Sequence, residues 1–311
     1  VTTSWVGEDN AAFGSAGIPE ERPSAAAWGS AKQAYLVTLP GNQKSDVQIS
    51  LSSESPEPSA VHIIIDAKPF AEATVILDHK GHAILGENVE IVVGDEAQLT
   101  VISIQDWDDQ SIHASTQMAR LGRNSRLKHL VVSLGGKTVR VASSTEFTQP
   151  GGDTEMLGMY FADAGQYLEN RLYVDHAVPN CKSRVTYKGA LQGEKAHTVW
   201  VGDVLIRMAA EGTDTYELNR NLLLTDGARA DSVPNLEIET GKIEGAGHAS
   251  ASGRFDDEQL FYLQARGITE TEARRLVVRG FLNEIIQQID NEQIRERLSN
   301  SIEAELARSG S

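Results

Sequence analysis

Short apolar runs of about five residues dominate the chain from Val61 to about Ile238. They are rich in Val, Ile and Leu and are separated by Gly, Asp and Asn, which is the pattern of β-strands between turns. The clearest runs are 61–65 (VHIII), 73–77 (ATVIL), 89–93 (VEIVV) and 99–103 (LTVIS). This pattern predicts a mainly β core over residues 61–250.

A turn of small and polar residues recurs between these runs at a nearly constant interval. Four such turns begin at Gly94, Gly122, Gly151 and Val178, about 27 to 29 residues apart. Repeats of this length are typical of solenoids, in which each repeat stacks on the previous one. The spacing favours a β-solenoid, although an antiparallel β-sandwich with short strands would give a similar pattern.

The N-terminal part of the chain has a different composition. Residues 1–60 are rich in Ala, Gly, Ser and Pro, with turn-forming stretches at 17–19 and 53–58. Such stretches interrupt regular structure, so we predict an irregular N-terminal segment with a short strand at Ala34–Leu39. Because the chain opens without Met, we also expect that part of the natural N-terminus is missing.

Over residues 251–311 the apolar spacing lengthens from two residues to nearly four, which predicts helices. Asp256 and Thr269 each stand three residues before a Gln or Glu, the spacing of a capping box. Gly267 is a suitable end for the first of these helices. The predicted apolar stripes consist of Leu276, Val277, Phe281, Ile285 and Ile289, followed by Ile294, Leu298, Ile302 and Leu306. Such stripes need a surface that covers them.

Composition then excludes several classes of protein. The chain has 44 Asp and Glu against 28 Lys and Arg, and its formal net charge of -16 disfavours nucleic acid and anionic membranes as partners. No run approaches the roughly 20 apolar residues of a membrane-spanning helix, and no secretory signal is recognisable. The single cysteine, Cys181, cannot form an internal disulfide or a cysteine-rich cluster site within this chain. We therefore expect a cytoplasmic protein.

Familiar catalytic motifs are weak or absent. The segment 134–138 (LGGKT) ends like a phosphate-binding loop, but Val131 stands where the first glycine is required and strand-like residues follow. We interpret this segment as a hairpin turn. The histidines show no chelating spacing, and we interpret four of them as loop or half-exposed strand residues: His79, His82, His113 and His129.

Two residues remain as candidates for chemistry. Cys181 is followed by Lys182 and Arg184, whose charges would favour a thiolate if they face the sulfur. A buried structural cysteine is the alternative. His248 lies in a run of small residues, 245–253 (GAGHASASG), where another backbone or an inorganic cofactor could approach closely. One imidazole cannot fill a metal's coordination shell, so a ligand role would require groups from a partner chain.

The segment around His248 resembles the C-terminal signature of the SufB/SufD family of iron–sulfur cluster assembly proteins. The resemblance covers roughly residues 61–289 and rests mainly on 236–238 (LEI), 247–253 (GHASASG) and 256–268 (DDEQLFYLQARGI), with further similarity at 202–206, 219–224 and 233–238. In the SufB branch a cysteine stands two positions before the signature histidine. Ala246 occupies that position here, so this chain is most similar to the SufD branch.

The resemblance implies a right-handed parallel β-helix core followed by a helical module at 251–311 that binds a SufC-like ATPase. It also implies a non-catalytic scaffold that pairs with a SufB-like subunit. His248 would lie at the shared surface and help to hold iron or an iron–sulfur cluster transiently. We expect no cluster on the isolated chain, which could instead form a homodimer.

Two other functions stay open at this point. A β-helical carbohydrate-active enzyme would need carboxylates along one face of the solenoid, and the candidates are Asp106, Asp108 and Asp109, which surround Trp107. A purely structural β-solenoid without cofactor traffic is the third function. Co-purification with a SufB-like protein and an ATPase would separate the scaffold from both alternatives.

Overall fold

Fifteen strands dominate the computed structural model, which describes residues 1–255 and 257–308. They stack into a parallel β-solenoid of about eight turns, which confirms the predicted β-helix. The strands are β1 Thr2–Val6, β2 Ala34–Leu39, β3 Lys44–Ala67, β4 Glu72–Val93, β5 Gln98–Trp107, β6 Ile112–Leu121, β7 Arg126–Ser133, β8 Thr138–Phe147, β9 Asp153–Ala162, β10 Tyr167–His176, β11 Lys182–Leu191, β12 His197–Ile206, β13 Asp214–Leu223, β14 Arg229–Ile238 and β15 Gly245–Arg254. The helices are α1 Arg22–Ser30, α2 Asp257–Gln264, α3 Glu270–Ile286 and α4 Glu292–Arg308.

Consecutive strands alternate between two rows of the solenoid. One row runs β4–β6–β8–β10–β12–β14 and the other runs β5–β7–β9–β11–β13–β15, with parallel pairing throughout. The long strand β4 pairs with β5 along its first half and with β6 along its second half, so it joins both rows. A sandwich would pair consecutive strands through antiparallel hairpins, and this pairing therefore excludes it.

Side chains on each strand alternate between the lumen of the solenoid and its outer surface. In β5, Leu99, Val101 and Trp107 belong to the apolar core of the lumen, whereas Ile102 and Ile104 belong to a second apolar cluster on the outside. Stacking repeats this division from coil to coil. From β5 to β11 both faces of this row are largely buried, because the C-terminal helices cover the outer cluster.

The predicted repeating turn is present in four successive coils, where it joins β4 to β5, β6 to β7, β8 to β9 and β10 to β11. Glu96, Asn124 and Asn180 adopt left-handed backbone conformations in these turns, with φ of 58°, 50° and 59°. Neighbouring turns bond to each other, as the Glu96 amide donates to the Arg123 carbonyl at 2.8 Å. A Cβ on Gly94 would lie 2.7 Å from the Pro69 nitrogen, so close stacking explains the small residue there.

The segment 134–138 is also a corner of a coil, and its interpretation as a hairpin turn was wrong. It connects β7 to β8, which pair with β9 and β6 rather than with each other. A Cβ on Gly135 would lie 2.1 Å from the carbonyl oxygen of Trp107. Close packing against the previous coil therefore explains the glycine.

Within the N-terminal segment, the predicted strand at Ala34–Leu39 is confirmed as β2. The turn predicted at 53–58 is wrong, because β3 continues through it and pairs with β4 from Lys44 onward. The register shifts between Glu54 and Pro58, and such an irregularity lets a strand accommodate proline. Helix α1, with Pro23 in its first turn, was not predicted.

The ends of the C-terminal helices follow the sequence signals. The hydroxyl oxygen of Thr269 accepts a hydrogen bond from the Glu272 amide and caps α3. Gly267 has φ of 85°, as expected of a residue that follows a helix. The cap predicted at Asp256 lies outside the described residues.

Helices α3 and α4 pack on the outer face of the β5-containing row. The stripe predicted on α4 is confirmed, since Ile294, Leu298, Ile302 and Leu306 are all buried. The stripe on α3 was partly wrong, because Leu276 is 47% exposed whereas Val278, Leu282 and Ile286 are buried. The solenoid itself therefore covers most of this apolar surface. Among the described helices, none is long and apolar enough to cross a lipid bilayer.

Candidate functional site at the open end of the solenoid

The final coil leaves one edge of each row without a pairing strand among the described residues. Strand β14 pairs with β12 alone, and β15 pairs with β13 alone. An unpaired edge presents a line of backbone N–H and C=O groups to which another chain can add a strand. The open end is therefore a surface suited to association.

His248 lies on the edge strand β15, where it is exposed. Its register partner on β13 is Glu217. The small neighbours Ala246 and Gly247 leave space around the imidazole, and a Cβ on Gly247 would approach the Tyr216 ring at 3.3 Å. Within the described residues, no group of three ligating side chains includes His248, so additional ligands for a cluster would come from outside this chain.

Cys181 is not brought to this edge. It lies in the turn before β11, two strands from β15 in the row, and it is 1% exposed. Burial raises the pKa of its thiol. The nearby cation Arg184 instead pairs with Asp214 at 2.5 Å. These surroundings favour a packed, protonated thiol over the thiolate that the sequence suggested.

Three histidines that were interpreted as loop or half-exposed residues are fully buried, so that interpretation was wrong for His79, His113 and His129. His82 is partly exposed, as expected. His79 and His113 meet at Glu87, and their ligating atoms lie within 4.8 Å of one another. Among the described residues this is the group whose composition fits a metal ion.

Hydrogen bonding distinguishes the two histidines of the His79–Glu87–His113 cluster. His79 forms an ion pair with Glu87, whereas His113 is neutral. The indole N–H of Trp107 can only donate, so Nδ1 of His113 accepts it at 3.1 Å. The proton of neutral His113 is then on Nε2, which faces Oε2 of Glu87 at 3.3 Å. Because Nε2 carries a proton, His113 has no lone pair to offer a metal on that side.

In the other half of the cluster, both ring nitrogens of His79 have hydrogen-bond partners. Nδ1 of His79 donates to the Ile104 carbonyl at 2.9 Å, and Nε2 contacts Oε1 of Glu87 at 2.9 Å. Although burial opposes ionisation, the charge of His79 and the hydrogen bonds from both histidines hold the pKa of Glu87 well below its usual range. Burial also opposes protonation of His79, but Glu87 raises its pKa. The carboxylate of Glu87 is therefore paired with His79 and hydrogen-bonded to Ser115 without an ion.

The carboxylates proposed for a carbohydrate-active enzyme are not arranged along one face. Asp106 bonds to Arg297 of α4 at 3.0 Å, and Asp108 accepts the Gln110 amide within its own turn at 2.9 Å. Trp107 between them points into the lumen core. This geometry gives the enzyme no support.

Comparison with known proteins gives a consistent family. A family model described as "SUF system FeS cluster assembly, SufBD core domain" matches residues 49–281. An iron–sulfur cluster assembly SufBD family protein of Mycobacterium leprae is 53% identical over 315 residues, covering 98% of this chain and 80% of that protein. A protein of the same description from Mycobacterium tuberculosis is also 53% identical, with 98% and 79% covered. A Synechocystis protein of this description is 29% identical, with 68% and 47% covered.

Proposed function

The chain belongs to the SufBD family of iron–sulfur cluster assembly proteins, and from that membership we propose that it is a SufD-type scaffold subunit. It pairs with a SufB-like subunit, carries a SufC-like ATPase and has no catalytic centre of its own. Iron or an iron–sulfur cluster is its cargo, held transiently at the surface shared with SufB in the cytoplasm.

The observation that supports this proposal is the position of His248 on the edge strand β15, whose outer edge pairs with no other strand among the described residues. A partner that pairs with β14 or β15 would bring its own side chains next to the exposed imidazole. His248 would then supply one ligand and the partner the others, which agrees with the absence of cysteine at Ala246. The same open edges would let isolated chains form a homodimer.

Substitution of His248 tests the ligand role. We expect the His248→Ala complex with SufB and SufC to assemble normally, because the exposed side chain contributes little to packing. Cluster yield on the reconstituted complex should fall by about tenfold or more, as is common when a metal environment loses a supporting group. The matched control is Ser250→Ala, which changes an exposed side chain two residues along the same strand.

Cluster formation can be followed by absorbance under anaerobic conditions, with assembly checked by size-exclusion chromatography. Wild-type cluster yield in an assembled His248→Ala complex would refute the ligand role. A fall of equal size in Ser250→Ala would assign the effect to the strand rather than to the imidazole.

The C-terminal helices provide the proposed surface for the ATPase. Most of their apolar stripe is covered by the solenoid, but Phe261, Tyr262 and Leu276 remain 72%, 55% and 47% exposed. Exposed aromatic and aliphatic side chains are common at protein contacts. These three residues, on α2 and α3, define the helix patch.

Point substitutions test the helix patch better than truncation does. Removal of residues after Gly267 would strip α3 and α4 from the outer sheet and expose its apolar cluster. The double variant Phe261→Ala/Tyr262→Ala should instead keep the fold and weaken SufC binding about tenfold or more. Met208→Ala is the control, because Met208 is 66% exposed but lies in the turn after β12. Unchanged SufC affinity in the double variant would place the docking surface elsewhere.

A further inference from the structure

Glu217 is a buried carboxylate without a partner. It occupies an inward position on β13 and is 1% exposed. Neither carboxylate oxygen has a hydrogen-bond partner among the described residues. A buried charge is ordinarily paired or bound to a metal, since loss of hydration is otherwise uncompensated.

The lumen around Glu217 is closely packed on one side and contains other polar groups. A Cβ on Gly202 would lie 2.7 Å from Oε1 of Glu217 and 2.4 Å from the ring of Trp200, so only glycine fits there. The indole nitrogen of Trp200 and the hydroxyl of its register partner Ser232 are also unpartnered within the described residues. Burial, with a smaller effect from Asp203, raises the pKa of Glu217 to about 8. Nothing described around Glu217 therefore neutralises its charge.

Register places Glu217 beside His248 on the edge strand. Residues paired in parallel strands face the same side of the sheet, and the strands lie about 4.8 Å apart. The alternation holds along this pair of strands, because Asn221 of β13 bonds to Ser252 of β15 at 3.1 Å. Glu217 and His248 are thus adjacent, one buried under the final coil and one exposed on it.

We propose that Glu217 and His248 together bind a divalent iron ion at the open end of the lumen. Carboxylate oxygen and imidazole nitrogen are both suitable ligands for Fe²⁺. Water or groups of a partner chain would occupy the remaining coordination positions. This inference rests on the proposed function in that iron is taken as the cargo, but it adds a ligand, Glu217, that lies inside this chain.

The test is Fe²⁺ binding by the isolated full-length chain, measured anaerobically by isothermal titration calorimetry. Wild type should bind one ion, and both Glu217→Gln and His248→Ala should raise the Kd about tenfold or more. Glu217→Asp keeps the carboxylate and should fall between wild type and Glu217→Gln. The control Glu237→Gln removes an exposed carboxylate from β14 and should leave the Kd unchanged.

Two results would overturn the proposal. One is an unchanged Kd in a folded Glu217→Gln chain, which would mean that Glu217 holds a proton or a buried water only. The other is no Fe²⁺ binding by wild type at millimolar concentrations, since both proposed ligands belong to this chain. Either result can occur while cluster yield on the complex still depends on His248. The iron site at Glu217 can therefore be refuted without refuting the proposed scaffold function.

Discussion

Two buried glutamates at opposite ends of the same lumen have contrasting surroundings. Glu87, in an early coil, contacts His79 and His113 and accepts a hydrogen bond from Ser115 at 2.6 Å. Glu217, in the last full coil, has no partner for either oxygen among the described residues. Both are almost completely buried, so burial alone does not distinguish them.

The contrast separates a structural role from a binding role. A buried polar group whose hydrogen bonds are complete stabilises one arrangement of the core, and adding an ion there would break existing bonds. A buried carboxylate with free lone pairs lowers stability unless something binds it. The cluster with the more metal-like composition is therefore the structural one, and the isolated Glu217 is the binding candidate.

Removal of the Glu87 carboxylate should have the largest effect. Glu87→Leu leaves His79 without its ion-pair partner and Ser115 without its acceptor, and loss of one partner of a buried ion pair typically costs about 3–5 kcal/mol. The free energy of unfolding, from urea denaturation at pH 7, measures the loss. Glu87→Gln is the control, because its amide can donate to Nε2 of neutral His79 and accept from His113. If Glu87→Leu were as stable as Glu87→Gln, the hydrogen bonds to the side chain at position 87 would have no structural importance.

Removal of the Glu217 charge should instead increase the free energy of unfolding. An acid whose pKa rises from 4.5 to about 8 on folding binds more protons in the folded state, so stability falls as pH rises between these values and stays lower above pH 8. Glu217→Gln removes this penalty and should raise the free energy of unfolding by about 2–4 kcal/mol at pH 9. The gain should disappear below about pH 4.5, where both states hold the proton.

Urea denaturation in metal-free buffer at pH 4, 7 and 9 gives this profile. Asp203, on β12 of the other row, and His248, on the adjacent strand β15, are the titratable groups placed near Glu217. Glu237→Gln on β14 controls for general charge effects. A pH-independent difference between wild type and Glu217→Gln would show that the carboxylate is hydrated or neutralised in the folded chain. The contrast with Glu87 would then be lost.

Much of the fold was predictable because stacking imposes a repeat on the sequence. The turns at Gly94 and Gly122 keep their spacing since each turn bonds to the next, and β2 and the Thr269 cap have local signals. The turn predicted at 53–58 failed because pairing with β4 overrides the local preference of its prolines. The buried face of α3 was misplaced because the surface that covers it comes from strands far away in sequence.

The site was predictable only where its signal is local. The signature around His248 pointed to one residue of the candidate site, which stays a prediction, whereas Glu217 is placed beside it only by the pairing of strands 31 residues apart. His79 and His113 were misinterpreted although each follows the alternation of its strand. His79 comes two residues after Leu77, an inward position. A count of that alternation would have placed it in the lumen.

The prediction with the smallest expected effect concerns which ring nitrogen of His113 carries the proton. The structural role that we assign to Glu87 depends on that position. Trp107→Phe removes the N–H that donates to Nδ1 of His113 and leaves that nitrogen buried without a partner. The expected loss is about 1–2 kcal/mol in the free energy of unfolding, measured by urea denaturation. Phe is smaller than Trp, so the measured loss combines the hydrogen bond with some lost packing at this buried site. Trp5→Phe, at a site 61% exposed, is the control and should be nearly neutral.

In wild type, nitrogen NMR of the imidazole should show His113 neutral at pH 7 with its proton on Nε2, because burial lowers its pKa. A proton on Nδ1 would contradict the donation from Trp107, free Nε2 as a ligand and reopen the His79–Glu87–His113 cluster as a metal centre.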